Sequence, residues 1–131
     1  MEEKLRSLLN NSYTPYYNYP VASVVVMKDG KEFYGVNVET SSPAAGICAE
    51  RNAIYNAITS GYGKGDFKEI HIMSKTDDDC FPCFICRHTI SDLCDKDVVI
   101  YSHTYNNRIV SHTVSELCPY PFGDDNMKEN N

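Results

Sequence analysis

"DVVIYSHTYNNRIVSHT" (residues 97–113) holds two runs rich in β-branched residues, 97–102 and 108–113, with only the five residues "HTYNN" between them. A parallel crossover needs roughly a dozen residues or more, so the last two strands must be antiparallel neighbours. Working outward, "CFICRHTISDL" (83–93) follows Pro82 and predicts a helix, while "FKEIHIMS" (67–74) alternates as a strand does. A second helix is predicted from Cys48 to about Thr59, with Ile54, Ala57 and Ile58 on its apolar face and "GYGKG" ending it. "VASVVVM" (21–27) and "KEFYGVNVE" (31–39) flank Asp29-Gly30 and read as a β-hairpin. Leu5, Leu8 and Leu9 of "EEKLRSLLNN" lie at helical spacing, and "VSEL" (114–117) closes the chain with a short helix. The order α-β-β-α-β-α-β-β-α gives an α/β chain with five strands.

With 131 residues, 42% of them apolar, the chain has material for one core. A single domain is expected over residues 1–122, followed by a polar tail over 123–131 that is expected to be disordered. The N-terminal "MEEKLRSLLN" is acidic where a secretory signal would be basic, and no later run reaches the length of a membrane span. A cytoplasmic protein without membrane attachment is expected, its six cysteines reduced rather than paired in a disulfide framework. The net charge of −6, with no basic cluster, argues against a nucleic-acid partner and for a small, weakly charged substrate.

The chemistry concentrates in two short stretches. "PCFIC" (82–86) sets Cys83 and Cys86 at the C-x-x-C spacing that lets two thiolates reach one tetrahedral zinc from the first turn of a helix. In "GICAERNAI" (46–54), Cys48 heads another predicted helix, so three thiolates can converge from two helix N-termini. Three protein ligands leave a fourth position for a water to be activated, the mark of a catalytic rather than a structural zinc. Glu50, two residues beyond Cys48, is then placed to take a proton from that water without binding the metal. Three thiolates around Zn2+ leave a net charge of about −1, which calls for compensation. Arg51 and Arg87, each one residue past a site residue, are candidates to donate hydrogen bonds to the thiolates.

Other readings of these residues remain open on spacing alone. Cys80 extends the pair to C-x2-C-x2-C and would permit a structural four-cysteine zinc site with Cys94, an arrangement that leaves Cys48 and Glu50 idle. Cys94 and Cys118 otherwise read as core or boundary residues. His71, His88, His103 and His112 do not fall at ligand spacing relative to one another, and no serine or histidine arrangement suggests a nucleophilic triad.

C-A-E at 48–50 together with P-C-x-x-C at 82–86 resembles the zinc signature of the cytidine deaminase family in its three-cysteine form, specifically the small enzymes acting on free nucleosides. "YYNYPVAS" resembles the segment before that family's first strand, "GVNVET" its ribose-binding strand and "SELCPYPF" its C-terminal element, so the likeness runs over residues 13–122. It implies a three-layer α-β-α fold around a five-stranded mixed sheet. It also implies one Zn2+ per subunit on Cys48, Cys83 and Cys86, with Glu50 shuttling protons during attack on C4 of cytosine. The Ala49 amide would hold the pyrimidine carbonyl, and Asn37 and Glu39 would bond the ribose. Tyr19 stands where the family usually has Phe beside the substrate, and Phe122 matches an aromatic supplied near the base at a subunit boundary. A homotetramer with active sites near subunit interfaces, serving pyrimidine salvage, is the implied assembly and role.

Phe84 and Ile85 depart from the small residues usual between the paired cysteines, and Pro43-Ala44 replaces an often aromatic and glycine pair. Two alternatives to an ordinary cytidine or deoxycytidine deaminase follow. One is a blasticidin-S-type or other altered-substrate nucleoside deaminase, against which Asn37 and Glu39 weigh. The other is a catalytically silent, zinc-stabilised nucleoside-binding module.

Overall fold

The computed structural model describes residues 1–123 and 126–127. The rest of the expected tail, 124–125 and 128–131, lies outside the described residues. In chain order the elements are α1 (Glu2–Leu9), β1 (Val21–Met27), β2 (Glu32–Val36), α2 (Ala49–Thr59), β3 (Phe67–Ser74), α3 (Phe84–Leu93), β4 (Val99–His103), β5 (Ile109–Thr113) and α4 (Val114–Leu117). A 3-10 turn at Pro43–Ala45 precedes α2, where the sequence pattern offers no helical signal.

The five strands form one sheet in the order β2-β1-β3-β4-β5. β1 pairs antiparallel with both β2 and β3, β3 pairs parallel with β4, and β4 pairs antiparallel with β5 through registers such as Tyr101 with Ser111. The five-residue link therefore does what its length requires, while the single parallel pair is made possible by the crossover through α3. The sheet is mixed and lies between helices, as expected of a three-layer α-β-α fold.

β1 explains the layering. All seven of its residues are buried, because side chains alternate between two covered faces. Ala22, Val24 and Val26 pack with Leu5 and Leu9 of α1 on one face. Val21, Val25 and Met27 join Ile54 of α2, Ile90 of α3 and Ile70, Ile72 and Ile100 on the other. Among the described residues, no helix is long and apolar enough to cross a membrane.

The 31–39 run ends as a regular strand at Val36, three residues short of the sequence pattern. Its continuation is still held: Val38 bridges Tyr13 on one side and Ile47 on the other. Residues 37–39 are thereby fixed beside the approach to α2.

Candidate active site

α2 is seated on the edge strand β2 by three residues that sequence patterning did not single out. A Cβ at Gly35 would collide with the Ala49 carbonyl oxygen and the Ala53 nitrogen, so only glycine lets the helix approach this closely. Asn52 and Asn56, one turn apart on α2, donate to the β2 carbonyls of Val36 at 3.0 Å and Tyr34 at 2.9 Å. These bonds satisfy an edge that would otherwise stand open.

With α2 placed, Cys48 is its N-cap residue, and Cys83 is the N-cap residue of α3. Cys86 follows within the first turn of α3 and is fully buried. The Sγ atoms of Cys48, Cys83 and Cys86 all lie within 4.8 Å of one another, and those of Cys48 and Cys83 are 3.7 Å apart. Tetrahedral zinc with Zn–S bonds of about 2.3 Å sets sulfurs about 3.8 Å apart, so the donor set and its spacing fit zinc. Cys94, at the far end of α3, belongs to the apolar core instead, which leaves the four-cysteine arrangement without its fourth ligand.

Glu50 sits one residue into α2, is only 5% exposed, and lines the same pocket as Cys48 and Cys83. Burial, and to a lesser degree the charge on Cys48, pushes its carboxyl up to about 7, into the range where a carboxylate can accept and return protons near neutrality. The Cys48 thiol is pulled down to about 5, chiefly by the hydrogen bond from Cys86 and further by Arg51, while Cys86 is pushed up by that same bond and by burial.

Arg51 donates from Nη2 to Cys48 Sγ at 3.7 Å. Its Nε is buried without a hydrogen-bond partner among the described residues, and the Nη2 contact is what keeps guanidinium charge beside the sulfurs. Arg87 departs from expectation: it donates to the Pro82 carbonyl at 2.7 Å and the Leu117 carbonyl at 3.0 Å. Its guanidinium also lies 4.8 Å from the Phe84 ring centroid. Arg87 therefore ties α3 to α4 rather than reaching sulfur, because its position on α3 turns it towards the helix that follows β5.

The pocket has a volume of about 660 Å³ and gathers most of the candidate residues: Tyr19, Asn37, Glu39, Ala49, Glu50, Arg51, Cys48 and Cys83 all line it. As the first residue of α2, Ala49 has a backbone N–H with no intrahelical acceptor, which suits it to hold a ligand carbonyl. Phe122 is not among the lining residues and is 62% exposed, so within its own chain it does not reach the pocket. Of the two bulky residues between the cysteines, Ile85 lines the pocket and Phe84 points outward at 81% exposure. Cys80 and Phe81 also line the pocket, neither singled out for this from sequence; burial and the charge of Glu50 push the Cys80 thiol up to about 11. Their place just ahead of "PCFIC" was the available signal.

With fold and site described, the comparisons with known proteins agree. Residues 1–102 match the model of the cytidine and deoxycytidylate deaminase zinc-binding region. A cytidine deaminase from Halalkalibacterium halodurans is 33% identical over 118 residues, covering 90% of this chain and 88% of that protein. One from Sporosarcina psychrophila is 29% identical over 116 residues, covering 88% of this chain and 84% of that protein. Among solved structures, a cytidine deaminase from Burkholderia pseudomallei superposes with a TM-score of 0.87 at 30% identity, covering 92% of this chain and 94% of the other. The chain belongs to the cytidine and deoxycytidylate deaminase family.

Proposed function

We propose, from that membership, that this protein is a hydrolytic deaminase converting cytidine or deoxycytidine, with one water, to uridine or deoxyuridine and ammonia. The observation that carries the reading is the buried carboxylate of Glu50 in one pocket with the Cys48, Cys83 and Cys86 sulfurs. Those three residues would hold zinc, which supplies Lewis acidity that lowers the pKa of a water molecule towards neutrality.

The remaining work falls to the chain's own groups. Glu50 takes one proton from the attacking water and delivers it to N3 of the cytosine ring, then takes the second from the C4 hydroxyl so formed and passes it to the 4-amino nitrogen, so that the C–N bond breaks, ammonia leaves and the C4 carbonyl forms. Ala49 N–H holds the ring carbonyl oxygen, and Tyr19 packs beside the base. Asn37 and Glu39, which also line the pocket, receive the sugar. Arg51 offsets the negative charge of the sulfurs.

The catalytic unit we assign spans residues 1–122, acting on a free nucleoside in the cytoplasm as part of pyrimidine salvage. A homotetramer is supported by the exposed Phe84 and Ile85 beside the pocket and by Phe122, which can serve a site only from another subunit.

Ammonia release from cytidine, deoxycytidine, blasticidin S, cytosine and guanine tests the reading. Turnover of the first two is expected. Turnover of blasticidin S alone would move the assignment to an altered-substrate deaminase, and nucleoside binding by zinc-loaded protein without turnover of any of the five would make it a binding module.

A further inference from the structure

The connection between α1 and β1 forms the aromatic wall of the pocket, yet little of it is buried. Tyr16, Tyr17 and Tyr19 line the cavity while remaining 59%, 79% and 44% exposed. Packing alone therefore does not fix them, and their backbone must be held by polar contacts. Those contacts converge on two side chains. Glu39 Oε1 accepts from the backbone N–H of Tyr16 at 2.9 Å and of Tyr17 at 3.2 Å. Asn37 Nδ2 donates to the Tyr19 carbonyl at 2.8 Å, and its Oδ1 accepts from Val21 N–H at 2.9 Å and from the Ser12 hydroxyl.

The local geometry explains why one carboxylate oxygen can hold two consecutive amides. Asn18 N–H bonds to the Thr14 carbonyl at 2.9 Å, closing a single helical turn, and Asn18 then leaves it at φ +52°. The amides of Tyr16 and Tyr17 stand at the start of that turn with no acceptor inside it. Glu39, from a distant part of the chain, caps them with charge-assisted bonds. Tyr13 fixes the near end through paired backbone bonds, its N–H to the Asn37 carbonyl at 3.1 Å and its carbonyl from Glu39 N–H at 2.8 Å. The register of the cap is therefore set by the same residues that carry it.

From this we infer that Glu39 is a positioning residue as well as a sugar contact: one carboxylate couples occupancy of the sugar subsite to the placement of the Tyr16–Tyr19 wall over the base. The sugar contact rests on the functional reading above; the tether does not. Oε1 is committed to the two amides, so a sugar hydroxyl is left Oε2. Asn37 is more heavily committed, with both acceptor positions and one amide hydrogen in use. A ligand hydroxyl on Oε2 fixes the carboxylate rotamer and so tightens the cap. A nucleoside whose sugar lacks the 2′ and 3′ hydroxyls leaves the wall as loose as in the free protein.

The test is amide hydrogen exchange resolved at single residues in the zinc-loaded full chain. Glu39→Ala should accelerate exchange at Tyr16 and Tyr17 by about tenfold or more while leaving Tyr13 and Val38 near native rates. Glu39→Gln, whose amide oxygen can still accept, should restore most of the protection. Uridine, a product that cannot be deaminated, should slow exchange at Tyr16 and Tyr17 in the native protein, whereas 2′,3′-dideoxyuridine should not. Unchanged exchange in Glu39→Ala, or equal acceleration at all four amides, overturns the tether whatever the ligands do. Calorimetric binding of uridine with no more protection than dideoxyuridine gives overturns the coupling. Failure of uridine to bind at all counts against the functional reading and removes the coupling with it, leaving the tether decided by the variants.

Discussion

The Sγ atoms of Cys48 and Cys83 lie 3.7 Å apart although 35 residues separate them, and each belongs to the residue that caps its own helix. Two helix N-termini thus face one point, where aligned backbone dipoles favour negative charge. Thiolates are at home there, and a divalent cation between them completes the balance.

Removing zinc should therefore loosen the whole domain. Without the cation, three sulfurs converge on a site with Arg51 as their close positive partner. With free zinc at about one hundred times its dissociation constant, binding contributes about 2.7 kcal/mol of stability. Scanning calorimetry with and without a strong chelator should register the difference as a lower Tm; an identical Tm would mean the cluster does not hold metal in the folded state.

Arg51→Gln and Arg87→Gln should separate. Arg51 touches sulfur, so its loss should weaken zinc affinity by roughly 10- to 100-fold. Arg87 serves the Pro82 and Leu117 carbonyls, so its loss should lower stability by about 1–2 kcal/mol and leave zinc affinity within a few-fold. Competition titration against a zinc indicator checks both, and equal effects on zinc would contradict the assignment.

Gly35→Ala should damage the site from a distance. Its new methyl meets the Ala49 carbonyl and the Ala53 backbone, which cannot yield without moving α2 off β2. A cost of about 1–3 kcal/mol or more is expected, with zinc affinity falling because Cys48 moves with the helix. Urea denaturation and zinc titration of the variant would show it; native values for both would mean that the helix has room to shift.

Acid stability should carry the mark of a buried histidine pair on the α1 side of the sheet. His71 Nδ1 and His103 Nε2 are 2.8 Å apart, His71 Nε2 reaches Glu69 at 3.1 Å, and Tyr101 stacks on His71. With both rings neutral, the state burial favours, His71 donates to Glu69 and accepts from His103, whose Nδ1 is buried without a partner among the described residues. Burial lowers both, His103 to about 4, with the N-terminal amine opposing and Glu2 favouring its protonation. Because the folded values lie below the unfolded one, about 6.5, the pair's contribution is complete above that pH and is lost as pH falls towards 4, at up to about 1.4 kcal/mol per unit for each ring. Urea midpoints from pH 7.5 to 4.5 should fall more steeply in the native chain than in a His71→Gln, His103→Gln variant.

Much of this was legible because the deciding signals are local. The length of "HTYNN" settles the direction of the last two strands, β-branched runs, alternation and the Asp29-Gly30 turn mark the strands, and the spacing of Cys83 and Cys86 marks a metal pair. What stayed hidden depends on long-range geometry. Gly35 shows its role only once α2 is laid against it. Asn52 and Asn56 show their role only once β2 proves to be the edge. Arg87 lies one residue from Cys86 and is by spacing as good a candidate for sulfur as Arg51, but α4, distant in sequence, captures it. His71 and His103 have no spacing relation along the chain and meet only because β3 and β4 are parallel neighbours.

The most direct test of the account is the rate of ammonia release from cytidine by the Glu50→Ala protein with its zinc content measured in the same sample. Zinc at native stoichiometry with turnover reduced by at least about 10³-fold is the predicted result, since in the proposed mechanism the sulfurs hold the metal and the buried carboxylate moves the protons. Turnover within tenfold of the native rate at full zinc occupancy would contradict it, and would assign the proton transfers to some other group in the pocket.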